Sequence, residues 1–176
     1  LRTVNAMDGV PHLTQPPIEP GGRFDYEFDT RDAGTFWYHP HVNSAEQVGR
    51  GLAGPLIVDE SVPPQVDRDI VWVVDDWRIG NDGQLPPFGD FHDRGHGGRL
   101  GNVATINGTL PEPLSVRAGE RIRLRLINSA NARVFGLIFN GHAPWLMAID
   151  GHPVRPRRTA REKIILAPGS RVDLFI

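Results

Sequence analysis

The feature that most constrains this chain is apolar–polar alternation with a period of two. In Arg121-Ile122-Arg123-Leu124-Arg125-Leu126-Ile127, the residues Ile122, Leu124 and Leu126 fall on one face and Arg121, Arg123 and Arg125 on the other. Phe24-Asp25-Tyr26-Glu27-Phe28 sets three aromatic residues against two acids in the same way. Only an extended strand separates neighbours onto opposite faces like this; a helix groups residues three and four apart. Both segments are therefore predicted to be half-buried strands of antiparallel sheets, with the three arginines meeting water. Further strands are expected over residues 54–59, 70–75, 134–140, 145–149, 163–166 and 171–176. Pro20-Gly21-Gly22, Pro63-Pro64, Ala118-Gly119-Glu120, Asp150-Gly151 and Pro168-Gly169-Ser170 mark turns between them. Short strands at this spacing predict an all-β sandwich.

The chain of 176 residues is long enough for one large domain or parts of two smaller ones. A boundary is expected at Ser61-Val62-Pro63-Pro64-Gln65, which would divide it into residues 1–62 and 66–176. Residues 79–101, rich in Gly, Pro and Asp, are expected to form a surface loop holding at most a short helix. Leu1-Arg2-Thr3-Val4 is neither an initiator Met nor a signal peptide, and both ends are expected to be cut from a longer chain. No stretch approaches the roughly 18 apolar residues of a membrane span. The formal net charge of -2 gives no electrostatic footprint for nucleic acid. Cysteine is absent, which excludes disulfides, a thiol nucleophile and thiolate-bound metal within the chain.

Gly34-Thr35-Phe36-Trp37-Tyr38-His39-Pro40-His41 carries the clearest chemistry. In an extended strand, residues i and i+2 share a face about 6–7 Å apart. Two imidazoles so placed can converge on one ion, or each can take one member of a close metal pair, whose ions sit about 3.5–4 Å apart. Neutral imidazole suits copper, zinc, iron and nickel. Pro40 offers no N–H to a ladder, so the strand belongs at an edge or beside a bulge. Taken alone, such a pair is more often two packed, hydrogen-bonded histidines.

The surrounding order of motifs changes that weighting. Asp8-Gly9-Val10-Pro11, Thr14-Gln15-Pro16-Pro17-Ile18, Pro20-Gly21-Gly22, the aromatic strand, residues 34–41 and Gly51-Leu52-Ala53-Gly54-Pro55-Leu56-Ile57-Val58 follow one another. This series closely resembles the end of the first cupredoxin domain of multicopper oxidases: laccases, bacterial copper-resistance oxidases and ferroxidases. Ile106-Asn107-Gly108, Val116-Arg117-Ala118-Gly119-Glu120-Arg121, Leu126-Ile127-Asn128, Gly141-His142, Asp150-Gly151-His152-Pro153-Val154 and Leu166-Ala167-Pro168-Gly169-Ser170-Arg171 resemble that family's second domain.

The resemblance implies cupredoxin-like Greek-key sandwiches. Residues 1–62 would be the later part of the first and residues 66–176 most of the second. It implies that His39 and His41 each ligate one copper of the binuclear type 3 pair, part of a trinuclear cluster. It further implies that Asp8 lies beside that cluster, outside the ligand set, and helps move protons during oxygen reduction. Read without the family, Asp8 is a turn residue before Gly9. The family's three other ligand motifs are missing here, and a type 1 copper needs a thiolate that this chain lacks. The implied activity is oxidation of a small reducing substrate, phenolic or metal ion, coupled to four-electron reduction of dioxygen to water. It would belong to a longer protein, either a homotrimer of two-domain chains or a three-domain monomer, exported to the periplasm or beyond the cell. A copper-free cupredoxin relative serving assembly or protein contacts is the alternative, although it has no chemical reason to keep His39-Pro40-His41. Copper storage finds little support in a chain with two Met.

The remaining histidines read as structural or solvated: His12 in a turn segment, and His142 and His152 beside turns. His92 and His96 have helical i, i+4 spacing, but Gly95, Gly97 and Gly98 weigh against a helix there. Asn107-Gly108-Thr109 fits a glycosylation sequon and a tight turn equally well. Arg155-Pro156-Arg157-Arg158 reads as a solvated loop, and Trp77 as packing. No phosphate loop or Gly-x-Ser-x-Gly elbow is present. Because neutral imidazole is the ligating form, copper held by His39 and His41 is expected to be released on acidification. Elemental analysis at pH 7 and pH 4 checks this, and equal retention at both would count against these ligands.

Overall fold

The computed structural model describes residues 1–176. In chain order the elements are β1 (Gly34–Tyr38), α1 (Ser44–Gly49), β2 (Gly54–Val58), β3 (Arg68–Trp77), α2 (Phe91–Gly95), β4 (Val103–Ile106), β5 (Ile122–Asn128), β6 (Phe135–Leu137), β7 (Trp145–Ile149), β8 (His152–Arg158), β9 (Ile164–Leu166) and β10 (Arg171–Phe175). A six-stranded sheet runs β4-β3-β5-β10-β7-β8, while β1-β2 and β6-β9 form two-stranded sheets. All pairings are antiparallel except β3 with β5, which run parallel with Arg68 opposite Ile122 and Val74 opposite Asn128. The two helices are short, so the fold is all-β, as expected.

The apolar face of the large sheet packs on the β6-β9 pair. Val74, Leu124, Leu126, Leu146, Val172 and Leu174 from the sheet meet Ile164 and Leu166, with Phe135 and Leu137 at the margin. Each fully buried side chain of this kind contributes about 1.5–3 kcal/mol.

The opposite face departs from expectation. Arg121 is exposed, but Arg123 and Arg125 retain only 5% and 1% of their accessible surface. The alternation is as predicted, yet this face is covered by β1 and by the chain leaving β2. Arg123 forks onto Glu60 (3.0 and 2.7 Å) and reaches Asp173 at 2.6 Å. Arg125 forks onto Asp69 (2.7 Å twice) and donates to the Thr35 hydroxyl at 3.0 Å. Thr35 in turn donates to Asp173 at 2.6 Å. Burial works against the charge on Arg123, but the hydrogen bonds it donates to Glu60 and Asp173 outweigh it and hold the pKa of its guanidinium above the ordinary value.

The start of β1 also rests on the β7-β8 turn. Asp150 and Gly151 both have positive φ (51° and 80°), the signature of a two-residue hairpin turn of the primed type. A Cβ on Gly151 would lie 2.6 Å from Phe36 Cε1, and one on Gly34 would lie 2.5 Å from the Gly151 carbonyl oxygen. Glycine at both positions lets the two backbones touch.

Residues 54–59, 70–75, 134–140, 145–149, 163–166 and 171–176 each hold a strand. Phe24-Asp25-Tyr26-Glu27-Phe28 does not form one: no neighbouring segment of the chain offers it a ladder, and Phe24 and Tyr26 pack on each other instead (4.7 Å). Arg155-Pro156-Arg157-Arg158 is not a loop but part of β8. That strand is at the sheet edge, where proline costs no ladder bond. Helix α1 carries no period that the sequence advertises. It is held by Val48 packing inward and by an Arg50–Glu46 ion pair at 2.8 Å. At the turn after β4, the Asn107 amide accepts from Val73 N–H (2.8 Å) and donates to the Val71 carbonyl (3.0 Å), which supports the tight-turn reading.

Burial, not distance, ranks the ion pairs. Asp173→Asn leaves two buried guanidinium groups short of a counter-charge and is expected to cost about 3 kcal/mol or more. Arg157→Ala removes an equally short pair with Glu162 whose partners are 55% and 54% exposed, and it should cost no more than about 1 kcal/mol. Urea unfolding of the two variants measures the contrast; equal costs would contradict it.

Candidate metal centre

His39 and His41 follow β1 directly, where Pro40 ends the ladder. The two rings stack, with centroids 4.9 Å apart and planes inclined by 20°. Metal–imidazole bonds lie close to the ring plane. Planes this nearly parallel do not meet near the rings, so the pair as placed is suited to one ion each and not to a shared ion. Trp37 lies against the other side of His39 at 4.4 Å, continuing the same strand face. His39 is half-buried and His41 exposed. His39 Nδ1 lies 3.3 Å from the Pro40 carbonyl oxygen. His39 and Trp37 line a cavity of about 600 Å³ whose wall also includes Asn43, Arg94, Arg99 and Pro168.

Asp8 is exposed and belongs to a compact turn. Its Oδ1 accepts from the Thr14 hydroxyl at 2.6 Å and from Val10 N–H at 3.2 Å. These bonds, the Thr14 one foremost, hold its carboxyl below the usual range, and the nearby His41 adds to the effect. Oδ2 is left free of both bonds. Asp8 therefore satisfies the turn reading while also standing near His41.

The donor set passes a simple test for copper. Two imidazoles are ligands of the right softness, but no group of three or more His, Cys, Asp or Glu converges anywhere in the chain. Two imidazoles alone do not close a copper site, which needs further donors.

The multicopper oxidase family description matches residues 1–62 and again residues 73–176. The chain belongs to the multicopper oxidase family. The multicopper oxidase MmcO of Mycobacterium tuberculosis is 32% identical over 98% of this chain and 39% of its own length. The multicopper oxidase of Pseudomonas thermotolerans superposes with a TM-score of 0.93 at 41% identity, over 99% of this chain and 42% of that one. That of Pseudomonas parafulva gives 0.92 at 38%, over 100% and 43%. The chain thus spans about two fifths of the length of these relatives. The likeness bears out the cupredoxin-like sandwich expected from the motifs, and the family is one that binds copper.

Within this multicopper oxidase chain the other histidines stay apart from the pair. His12, in a left-handed backbone conformation (φ 64°), His142 and His152 are all exposed. His92 sits on α2, which forms in spite of the neighbouring glycines, and His96 is the residue that ends it. Sequence reading missed Trp37 as a neighbour of His39, although the period of two that aligns Trp37, His39 and His41 was visible.

It also missed Asp75. This residue, with Trp77, Thr105, Asn107 and Ser129, lines a second crevice of about 470 Å³ between β2 and β3. Burial pushes its carboxyl up to about 6 from 3.8, opposed only in part by hydrogen bonds from Asp76 N–H and Ser129. One carboxylate without histidine is no copper site. It is a stability liability: the folded form binds its proton more tightly than the unfolded one, so stability falls as pH rises from about 4 to about 6. Asp75→Asn should therefore stabilise the multicopper oxidase chain at pH 7.5 by roughly 1–2 kcal/mol, the full shift being discounted for solvent screening of a partly exposed group. At pH 4 the gain should vanish. Urea midpoints at the two pH values check this, and an equal gain at both would contradict it.

Proposed function

We propose that this chain is part of a laccase-like multicopper oxidase and that His39 and His41 each supply one ligand to the binuclear type 3 copper pair. The observation that carries the reading is the stacked, near-parallel arrangement of the two rings, which suits two adjacent ions better than one. In this reading residues 1–62 are the later part of a first cupredoxin-like domain and residues 66–176 most of a second. The remaining copper ligands, the type 1 site included, come from outside these residues.

Copper bound in such a cluster would take electrons from a small reducing substrate, phenolic or metal ion, and use four of them to reduce dioxygen to water. The chain's own residues hold and shield. His39, fixed between Trp37 and His41, presents its ring from the cavity wall. His41 presents the second ring from the solvent side. Asp8, ionised at neutral pH and with Oδ2 uncommitted, can accept a proton beside His41 and pass it on. Two imidazoles are too few to retain copper tightly, so neighbouring groups complete the cluster, in a homotrimer or within one longer chain. We place the protein in the periplasm or outside the cell on family resemblance alone. No helix is long and apolar enough to cross a membrane.

The test is a copper count on the full-length protein after anaerobic Cu(I) loading. His39→Ala and His41→Ala should each lower the copper retained per chain and abolish substrate-coupled oxygen uptake. Asp8→Asn should keep the copper and slow oxygen uptake by about a hundredfold or more, the usual range for a lost proton-transfer group. Full copper retention in both histidine variants would refute the ligand assignment. Loss of copper in Asp8→Asn would refute the relay role.

A further inference from the structure

Away from the His39–His41 pair, α2 carries His92, and His96 follows the helix directly as the residue that ends it. The His96 N–H bonds to the His92 carbonyl at 3.2 Å, which makes a true i, i+4 turn. Their rings lie 5.5 Å apart with planes inclined by 64°, and both residues are exposed. A metal–imidazole bond is about 2.0–2.1 Å long, and a ring centre lies about 1.1 Å beyond its nitrogen, so each centroid would stand about 3.2 Å from a shared ion. At a tetrahedral angle two such centroids are about 5.2 Å apart, and at the right angle of a tetragonal copper(II) site about 4.5 Å; the spacing found is near the first, and rotation of the two exposed side chains reaches the second. The His39–His41 rings stand at a similar spacing, 4.9 Å, and differ in being inclined by only 20°.

The turn that carries the pair is braced. Asp90 caps it, its carboxylate accepting from His92 N–H at 2.6 Å. Asp93, on the buried side, meets Arg78 at 2.9 Å and Arg99 at 3.3 Å. Arg99 is itself held by the Pro86 and Pro87 carbonyls at 2.8 and 3.0 Å and lies 3.8 Å over the Phe88 ring. The inner face of α2 is thus fixed to the body while the outer face presents two imidazoles. Such preorganisation lowers the cost of gathering ligands around an ion.

We propose that His92 and His96 form a second, solvent-facing metal site for a borderline divalent transition ion. Copper(II) is its preferred occupant by the general affinity order for nitrogen ligands, and water completes the coordination. Asp93 and Arg94 of the same turn line the cavity that His39 lines, while His92 and His96 stand outside it. The site does not depend on the type 3 reading.

The test is titration of the full chain with copper(II), followed by calorimetry and electron paramagnetic resonance, in a His39→Ala/His41→Ala background that removes the first pair. One copper(II) per chain that is lost when both His92 and His96 become Ala is expected, over and above copper held outside these residues, with nitrogen hyperfine structure. His92→Ala and His96→Ala should each weaken it at least tenfold, while Phe91→Ala, which removes only the ring lying edge-on to His96 at 5.9 Å, should leave it intact. Gly95→Ala is the discriminating variant. Its new methyl would meet Phe91 at an ordinary 3.6–3.8 Å, and a firmer helical turn should tighten binding about threefold to fivefold. No copper uptake in the background protein would overturn the proposal. So would unchanged affinity in both histidine variants, or indifference to Gly95→Ala.

Discussion

The buried ionic cluster around Asp173 is the interaction on which the rest of the molecule depends. Asp173 lies on the face of the large sheet that turns away from the apolar core, nearly sealed from water. There it accepts from Thr35 of β1 and from Arg123 of β5, while Arg125 reaches both Thr35 and Asp69. Withdrawing this many charges from water is costly, and a packed apolar patch could stabilise the junction as well. What directional, bidentate bonds add is a single register. Thr35 can satisfy Asp173 and Arg125 together in only one placement of β1 against the sheet.

That register governs the histidines. His39 is four residues beyond Thr35, and its ring lies against Trp37 and His41 with Nδ1 near the Pro40 carbonyl. β1 is pressed at its start on Gly151, tied at Thr35, paired with β2 along its length and released at Pro40. The chain therefore delivers two imidazoles at the end of a strand whose other end is anchored. If the two rings are copper ligands, as proposed, this anchoring is what places them before the remaining donors arrive.

Much of this was legible in the residues. Alternation exposed the strands, because a period of two has one structural cause. Asp150-Gly151 announced its hairpin, because few residues tolerate two positive φ values in succession. His39-Pro40-His41 stood out because its chemistry is local. The rest was hidden for reasons of context. Arg123 and Arg125 occupy the polar phase of a strand, and nothing in residues 121–127 says whether that face meets water or another sheet. Phe24-Asp25-Tyr26-Glu27-Phe28 has the pattern of a strand and lacks a partner to pair with. β8 was concealed by Pro153 and Pro156, which an edge tolerates. The high pKa of Asp75 arises from burial in a crevice that β2 helps to close, far from it in sequence.

The central claim is that His39 and His41 each face a different ion. Anomalous diffraction at the copper edge from crystals of the copper-loaded full-length protein tests it most directly. The account predicts two separate copper peaks, about 3.5–4 Å apart, one bonded to His39 and the other to His41. A single peak shared by both rings, or copper bound without either, would contradict it.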